Sequence, residues 1–431
     1  MKKKPGLFIV FILSACIAIA QNKTPKAVMD QFMDKRFGMF IHFGPVTQRS
    51  TEIGWSRNKE VTQADYDSLY HEFNPQLFNA DAWVKTAKDA GMKYLVITAK
   101  HHDGFCLWPT AFSDYNISNS PFKRDIVQEL AQACKKQGIT FCIYFTVLDW
   151  HDQDYPIHNP HDSTQNVKGD MTAFKTRMKN ELKEVITKYK PFMLWFDGYW
   201  EKPWTTADGK EIYGFIKSVD ANVIVNNRLG KVSDKLSGDA VGDFLTPEQT
   251  IGKLNMTEPW VSCITICNQW AWKPNDQMKS LKQCIQTLVT TVSGNGNLLF
   301  NVGPAMDGHI EARQVTRLKE MGAWLKLYGE SIYSTQGGPY VPNEVYGATR
   351  KGNKVYLHVF QRKDGTLIIP ALPKVKINKA YFMNGAAVAV KTDNDSYKIE
   401  LPTVLPDENC SVIVLELDKN TLNIPVIPAK A

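Results

Sequence analysis

From about residue 35 to residue 337 the chain repeats one theme, a short apolar run followed by an amphipathic stretch. The runs read "GMFIHFG" (38–44), "YLVITA" (94–99), "TFCIYFT" (140–146), "FMLWFDG" (192–198), "NVIVNNR" (222–228), "VSCITI" (261–266) and "NLLFNVGP" (297–304). Between them, "DAWVKTAKDAG" (81–91), "RDIVQELAQACKKQG" (124–138) and residues 172–190 carry apolar side chains at helical spacing, and the first two stop at a glycine. Two more helical patterns, near 278–292 and 311–327, flank the last run. Nearly continuous apolar strands are buried on both faces, which is the habit of a parallel sheet covered by helices. Seven strands are countable and an eighth is expected near Ser331 to Ser334. The expected fold class is therefore α/β, a closed (β/α)8-type barrel of the TIM type. A doubly wound sheet ranks second, because no glycine-rich phosphate fingerprint opens a helix.

Past Gly338 the texture changes to short alternating strands such as "KVYLHVF", "GTLIIPAL" and "SVIVLEL" with turn residues between them. That pattern predicts a C-terminal antiparallel β-sandwich over 338–431, behind a barrel over 21–337. The first residues are a leader. Lys2, Lys3 and Lys4 precede an apolar run from Leu7 to Ala20 that is short for a membrane span. Two exits suit it. Ala18-Ile19-Ala20 is a small-x-small cleavage site that makes 1–20 a signal peptide. Leu13-Ser14-Ala15-Cys16 has the form of a lipobox, which would lipidate Cys16 and tie the chain to a membrane. Cleavage after Ala20 leaves the fuller apolar region and is the reading adopted. Either exit predicts export, to the periplasm or beyond.

Composition narrows the function less. The 11 Trp, 16 Tyr and 21 Phe suit a protein that stacks rings on sugars, though they suit a large core equally well. A net charge of +7 without a long basic run beyond the leader gives no case for nucleic acid. The 8 cysteines show no zinc spacing; the one close pair is Cys263 and Cys267, and buried free thiols are expected.

In a barrel the chemistry collects where strands end. The first strand ends in His42-Phe43-Gly44, the second runs into Lys100-His101-His102-Asp103, and the third carries Tyr144 with Asp149-Trp150-His151 beyond it. The fourth ends in Asp197, the fifth in Asn226-Asn227-Arg228, and "GDFLTPEQ" with Glu248 precedes the sixth. A carboxylate at the end of an apolar strand is costly to desolvate unless it is paired. Asp197 is thus either an ion-pair partner of Arg228 or a reactive group. No HExxH or HxH pattern supports a metal, adjacent histidines on a strand point to opposite faces, and no GxSxG elbow supports a serine nucleophile. Two carboxylates in an aromatic pocket are what glycoside hydrolysis needs.

The motifs "RFGMFIHFGP" (36–45), "KHHDGFCLWPT" (100–110), "LDWH" (148–151), "LWFDG" (194–198), "NNR" (226–228), "TPEQ" (246–249) and "GNGNLLFNVGPAMDG" (294–308) resemble the α-L-fucosidases of glycoside hydrolase family 29. The resemblance implies retaining hydrolysis of terminal α-L-fucose from a fucosylated oligosaccharide or glycoconjugate, without a cofactor and without a metal. It implies that Asp197 is the nucleophile, that Arg228, His42, His101, His102 and Trp55 bind the sugar, and that Tyr144 lies near the nucleophile. An aromatic such as Phe43 or Trp270 is expected against the sugar methyl group.

The acid/base varies across that family. Some members align it with Glu248 of "TPEQ"; others place it after a later tryptophan, where this chain has Trp260-Val261. Glu248 is therefore the expected acid/base, with Glu258 second. Gly54 precedes Trp55 where many members carry a glutamate. A catalytically inactive glycan-binding protein on the same scaffold is the alternative function, and a membrane partner is expected only if Cys16 is lipidated.

Overall fold

The computed structural model describes residues 23–428 except 163, 166, 167, 232–234, 237–239, 363 and 364. The leader, with its exits at Ala20 and Cys16, lies outside the described residues. Seven parallel strands form one curled sheet: β1 (Phe37–Ile41), β2 (Tyr94–Lys100), β3 (Thr140–Thr146), β4 (Met193–Asp197), β5 (Ile224–Val225), β6 (Val261–Thr265) and β7 (Asn297–Val302), in the order β5-β4-β3-β2-β1-β7-β6.

The eighth strand is not near 331–334, where Gly329–Ser331 is a single 3-10 turn. Residues 243–249 take its place between the two sheet edges. Asp243 N donates to Val225 O and Asn227 N to Phe244 O on the β5 side. Leu245 N donates to Pro259 O, and Cys263 N to Pro247 O, on the β6 side. The expected barrel is thus closed by an irregular stave, and that stave carries Glu248. Pro247 lacks an N–H and so suits a segment held by scattered bonds rather than by a full ladder.

Strand alternation fills the barrel. Phe40, Tyr94, Val96, Met193, Ile224 and Phe244 meet inside it, whereas Phe37, Met39 and Ile41 face the surrounding helices. Gly38 lets the Tyr94 ring cross the interior, because a Cβ there would lie 2.3 Å from that ring. Helix Lys26–Met33 plugs the bottom with the Phe32 ring, 5.3 Å from Tyr94. The helix over Thr206–Val219 is not among the helical patterns named from the sequence; a Thr205–Asp208 capping box starts it despite Gly209 and Gly214.

The C-terminal strands form a five-stranded and a three-stranded antiparallel sheet packed on one apolar core. They begin with Gln336–Gly337, which pairs with Tyr346–Lys351. The sandwich docks on the outer helices: Gln286 Nε2 donates to the Phe360 and Asn409 carbonyls, and Trp324 Nε1 to the Cys410 carbonyl. The cysteines among the described residues are buried free thiols. No helix among the described residues is long and apolar enough to cross a membrane.

Candidate active site

A cavity of about 410 Å³ opens at the C-terminal ends of the strands, and all eight expected site residues line it. Asp197 is the last residue of β4. The chain must turn sharply behind it, and Gly198 makes the turn at φ 106°, where a Cβ would strike Leu148 Cγ at 2.4 Å. Asn226 zips the neighbouring strand end to β4. Its Oδ1 accepts the Phe196 N–H at 2.7 Å and its Nδ2 donates to the Phe196 carbonyl at 2.8 Å.

That zipper brings Arg228 across. One guanidinium nitrogen, Nη1, donates to Asp197 Oδ1 at 3.0 Å and to Glu248 Oε2 at 2.7 Å. The two carboxylate oxygens can therefore be no farther apart than the sum of those distances. The remaining nitrogens of Arg228 bond to Thr246, Nε to its hydroxyl at 2.9 Å and Nη2 to its carbonyl at 3.1 Å. Arg228 is thus clamped to the stave that holds Glu248. Burial alone would weaken its charge, but Asp197 and Glu248 outweigh burial and hold it firmly protonated. The Glu248 side chain is 41% exposed against 15% for Asp197, so the first reaches solvent while the second is enclosed.

The histidines were expected on opposite faces, yet both His101 and His102 line the cavity. β2 ends at Lys100, and the pair sits in the following turn, where strand alternation no longer applies. His102 Nε2 lies 3.7 Å from Asp197 Oδ2 and its Nδ1 lies 2.7 Å from Thr146 Oγ1. His42 Nδ1 lies 2.6 Å from Asn301 Oδ1. His101 stacks on Tyr144 with ring centres 5.2 Å apart. Burial drives His42 and His102 down to about 3 and His101 well below its usual value, so all three are neutral.

Trp55 stands at the rim, stacked on Trp200 at 5.8 Å with the rings 25° apart. Its loop is tied down from below: Gly54 N donates to the Tyr66 hydroxyl at 2.7 Å, and that hydroxyl donates to Asp103 at 2.7 Å. Gly54 adopts φ 71°, and a Cβ there would press on Trp150 at 3.1 Å and on His101 Nδ1 at 3.2 Å. The nearby Glu52 carboxylate turns away to accept the N–H groups of Trp270 and Ala271, both at 2.9 Å. It thereby sets Trp270, whose ring lies 4.7 Å from His42 in the cavity wall. Phe43 instead packs outward against Phe73 and Trp83, so of the two aromatics expected near a sugar methyl only Trp270 faces the cavity.

Glu258 lies elsewhere. It lines a larger cleft of about 770 Å³ at the opposite end of the barrel, between residues that precede the strands and sandwich residues such as Arg350 and Leu422, and its Oε1 accepts the Leu236 N–H at 2.6 Å. Trp260 and Val261 also sit at that end, Val261 being the first residue of β6. The Val261 side chain lies in the apolar interior at the start of β6, two residues below Cys263, and does not line the cavity.

Sequence reasoning missed several wall residues. Phe40 and Trp195 lie two residues before His42 and Asp197, on the same strand face, so the two-residue period could have found them. Behind the wall, Lys100 Nζ contacts Asp149 and Glu181, both at 2.9 Å, with all three side chains buried. Lys100 and Asp149 were visible at strand ends, but their partner on helix Met171–Tyr189 was not.

The α-L-fucosidase family model matches residues 18–330. The plasma α-L-fucosidase of Rattus norvegicus is 32% identical over 329 residues, covering 70% of each chain. Among solved structures, α-L-fucosidase isoenzyme 1 from Paenibacillus thiaminolyticus superimposes with a TM-score of 0.82 at 32% identity, covering 91% of this chain and 99% of that one. A family 29 α-L-fucosidase from Bacteroides thetaiotaomicron, trapped as a covalent intermediate with 2-fluoro-fucosyl fluoride, gives a TM-score of 0.82 at 29% identity, covering 92% of this chain and 97% of that one. On the family match and the barrel that carries it, this chain belongs to the α-L-fucosidase family of glycoside hydrolases, family 29.

Proposed function

We propose that the protein is a retaining exo-α-L-fucosidase that releases terminal α-L-fucose from glycans through a covalent fucosyl-enzyme. The observation that carries this reading is the single Arg228 nitrogen shared by Asp197 and Glu248. It caps the gap between one oxygen of each carboxylate at the sum of two hydrogen-bond lengths, which is compatible with the separation of about 5–5.5 Å used for retention and short of the roughly 6.5–9.5 Å that leaves room for a water between them. The covalent intermediate trapped in the Bacteroides relative supports the same course.

In the first step Asp197 attacks the anomeric carbon as the glycosidic C–O bond breaks, and Glu248 protonates the departing oxygen. In the second, Glu248 takes a proton from water, the water oxygen bonds to the anomeric carbon, and the ester to Asp197 breaks. Glu248 must turn from Arg228 to reach the leaving oxygen, and its exposed side chain is open to the water that attacks in the second step and returns its proton. Arg228, bonded to both carboxylates in the free enzyme, keeps Asp197 aimed. No step requires a cofactor. The neutral histidines, Trp55 and Tyr144 bind the hydroxyls and faces of one sugar, which suits a cavity of about 410 Å³ that takes a terminal residue. The leader supports export, with a lipid anchor if Cys16 is modified; a mature N-terminus at Gln21 supports plain cleavage, and one at Cys16 the anchor.

The test is nitrophenol release from an aryl α-L-fucoside by the wild type and by Asp197→Ala. Turnover lost in the variant supports the reading. A folded wild type that binds fucose without releasing it from aryl or natural fucosides overturns it in favour of a binding protein.

A further inference from the structure

Three neutral histidines share this cavity, and a neutral imidazole offers either a lone pair or an N–H on its cavity side, never both. Which one it offers is set by the partner of its other nitrogen. For two of the three rings the surroundings of that partner fix its polarity.

Asn301 Oδ1 lies 2.6 Å from His42 Nδ1, and Asn301 Nδ2 donates to the Trp270 carbonyl at 2.8 Å. A carbonyl only accepts, so the amide NH2 must face Trp270 and the amide oxygen must face His42. His42 Nδ1 therefore carries the proton, and Nε2 presents a bare lone pair.

Thr146 works in the other sense. Its oxygen already accepts the Leu148 N–H at 3.0 Å and lies 2.7 Å from His102 Nδ1. The hydroxyl is buried, and among the described residues its hydrogen has no other acceptor than that nitrogen. An unsatisfied buried hydroxyl is costly, so Thr146 donates and His102 Nδ1 is bare. The His102 proton then sits on Nε2, which faces Asp197 Oδ2 at 3.7 Å and the Tyr144 oxygen at 3.5 Å.

We propose that Asn301 and Thr146 are positioning residues that fix opposite tautomers on two histidines of one pocket, so that His42 offers the ligand a lone pair while His102 directs an N–H at the Asp197 carboxylate. A ligand group facing His42 must then donate a hydrogen bond. A hydroxyl does so; a fluorine or an ether oxygen at the same place does not. The part concerning the reaction rests on the fucosidase reading, but the tautomers belong to the free protein.

The experiment is two-bond proton–nitrogen correlation of the full chain labelled with 15N-histidine at neutral pH, with His42→Gln and His102→Gln used only to assign signals. The expected result is Nδ1–H for His42 and Nε2–H for His102 before any sugar is added. Nε2–H on His42, Nδ1–H on His102, or a charged ring at either place overturns the inference, whatever the activity. The tautomers as assigned sustain it even in a protein that turns over no fucoside, so its failure and that of the fucosidase reading are distinguishable. Thr146→Val and Thr146→Ser supply the functional readout. Loss of the donated hydrogen in the valine variant lowers kcat by about 10- to 100-fold with KM little changed, and serine restores it. Equal kcat in folded valine and serine variants overturns the role of Thr146.

Discussion

At the scale of single residues, the two carboxylates are held differently. Asp197 is enclosed at the end of a rigid strand; Glu248 sits on a stave and reaches solvent. Replacing Glu248 by Gln should therefore affect substrates unequally. Natural glycans, whose leaving oxygen needs a proton, should lose about 10²- to 10⁴-fold in kcat/KM. Nitrophenyl fucosides, which leave unaided, should lose far less in that ratio and show a burst of nitrophenol as the covalent intermediate accumulates. Equal losses on both substrates count against Glu248 as the proton donor. Much of this was legible in the chain, because His42, Asp197 and Arg228 sit where apolar runs stop. What was not legible is who orients them. Asn301 and Thr146 look like ordinary polar residues in buried strands until the histidines appear beside them.

At the scale of elements, seven strands announced themselves by apolar runs and one did not. Residues 243–249 close the barrel through scattered backbone bonds; Phe244 enters the interior, but Pro247 and polar residues follow in place of an alternating apolar run, so no periodicity marks them. The helix over Thr206–Val219 was obscured by its two glycines. Gly209 is there because a Cβ would lie 2.2 Å from the Leu229 carbonyl oxygen, just past Arg228. The Lys100–Asp149–Glu181 cluster joins the end of β2, the loop after β3 and a helix. Lys100→Met leaves two buried carboxylates without their cation and should cost about 3–5 kcal/mol of stability, read as a denaturant midpoint. A change within experimental scatter contradicts the picture of a dry triad. Gly198→Ala forces a side chain into the left-handed region against Leu148. It should cost about 1–3 kcal/mol and shift Asp197 enough to depress kcat; full activity in a stable variant argues that the turn tolerates a side chain.

At the scale of the whole molecule, the sandwich contributes to stability while, among the described residues, the barrel alone lines the cavity. The two-texture sequence made that division readable, because alternating strands replace apolar runs near Gly338. The sandwich also holds a titration probe remote from catalysis. His358 is buried, with Nε2 3.0 Å from Thr349 Oγ1, and burial lowers it to about 3. Its unfolded counterpart titrates near 6.5, so between about pH 6.5 and pH 3 the unfolded chain binds the extra proton. Stability from this group is full above pH 6.5 and falls as the medium is acidified. His42 and His102 act in the same direction. Asp103, raised to about 6 chiefly by burial, acts in the opposite one, its contribution being lost as pH rises through that value. His358→Gln should reduce the slope of unfolding free energy against pH between 4 and 6 by up to about 1.4 kcal/mol per pH unit. An unchanged slope means that His358 is charged in the folded protein.

If Asp197 forms a bond to the sugar, that bond can be trapped. The protein is treated with a 2-fluoro-fucosyl fluoride, digested, and the peptides are weighed. The expected result is one fluorofucosyl adduct, located on Asp197 and missing from Asp197→Ala. An adduct on another carboxylate, or release of β-L-fucose as the first-formed product from an α-fucoside, would contradict it.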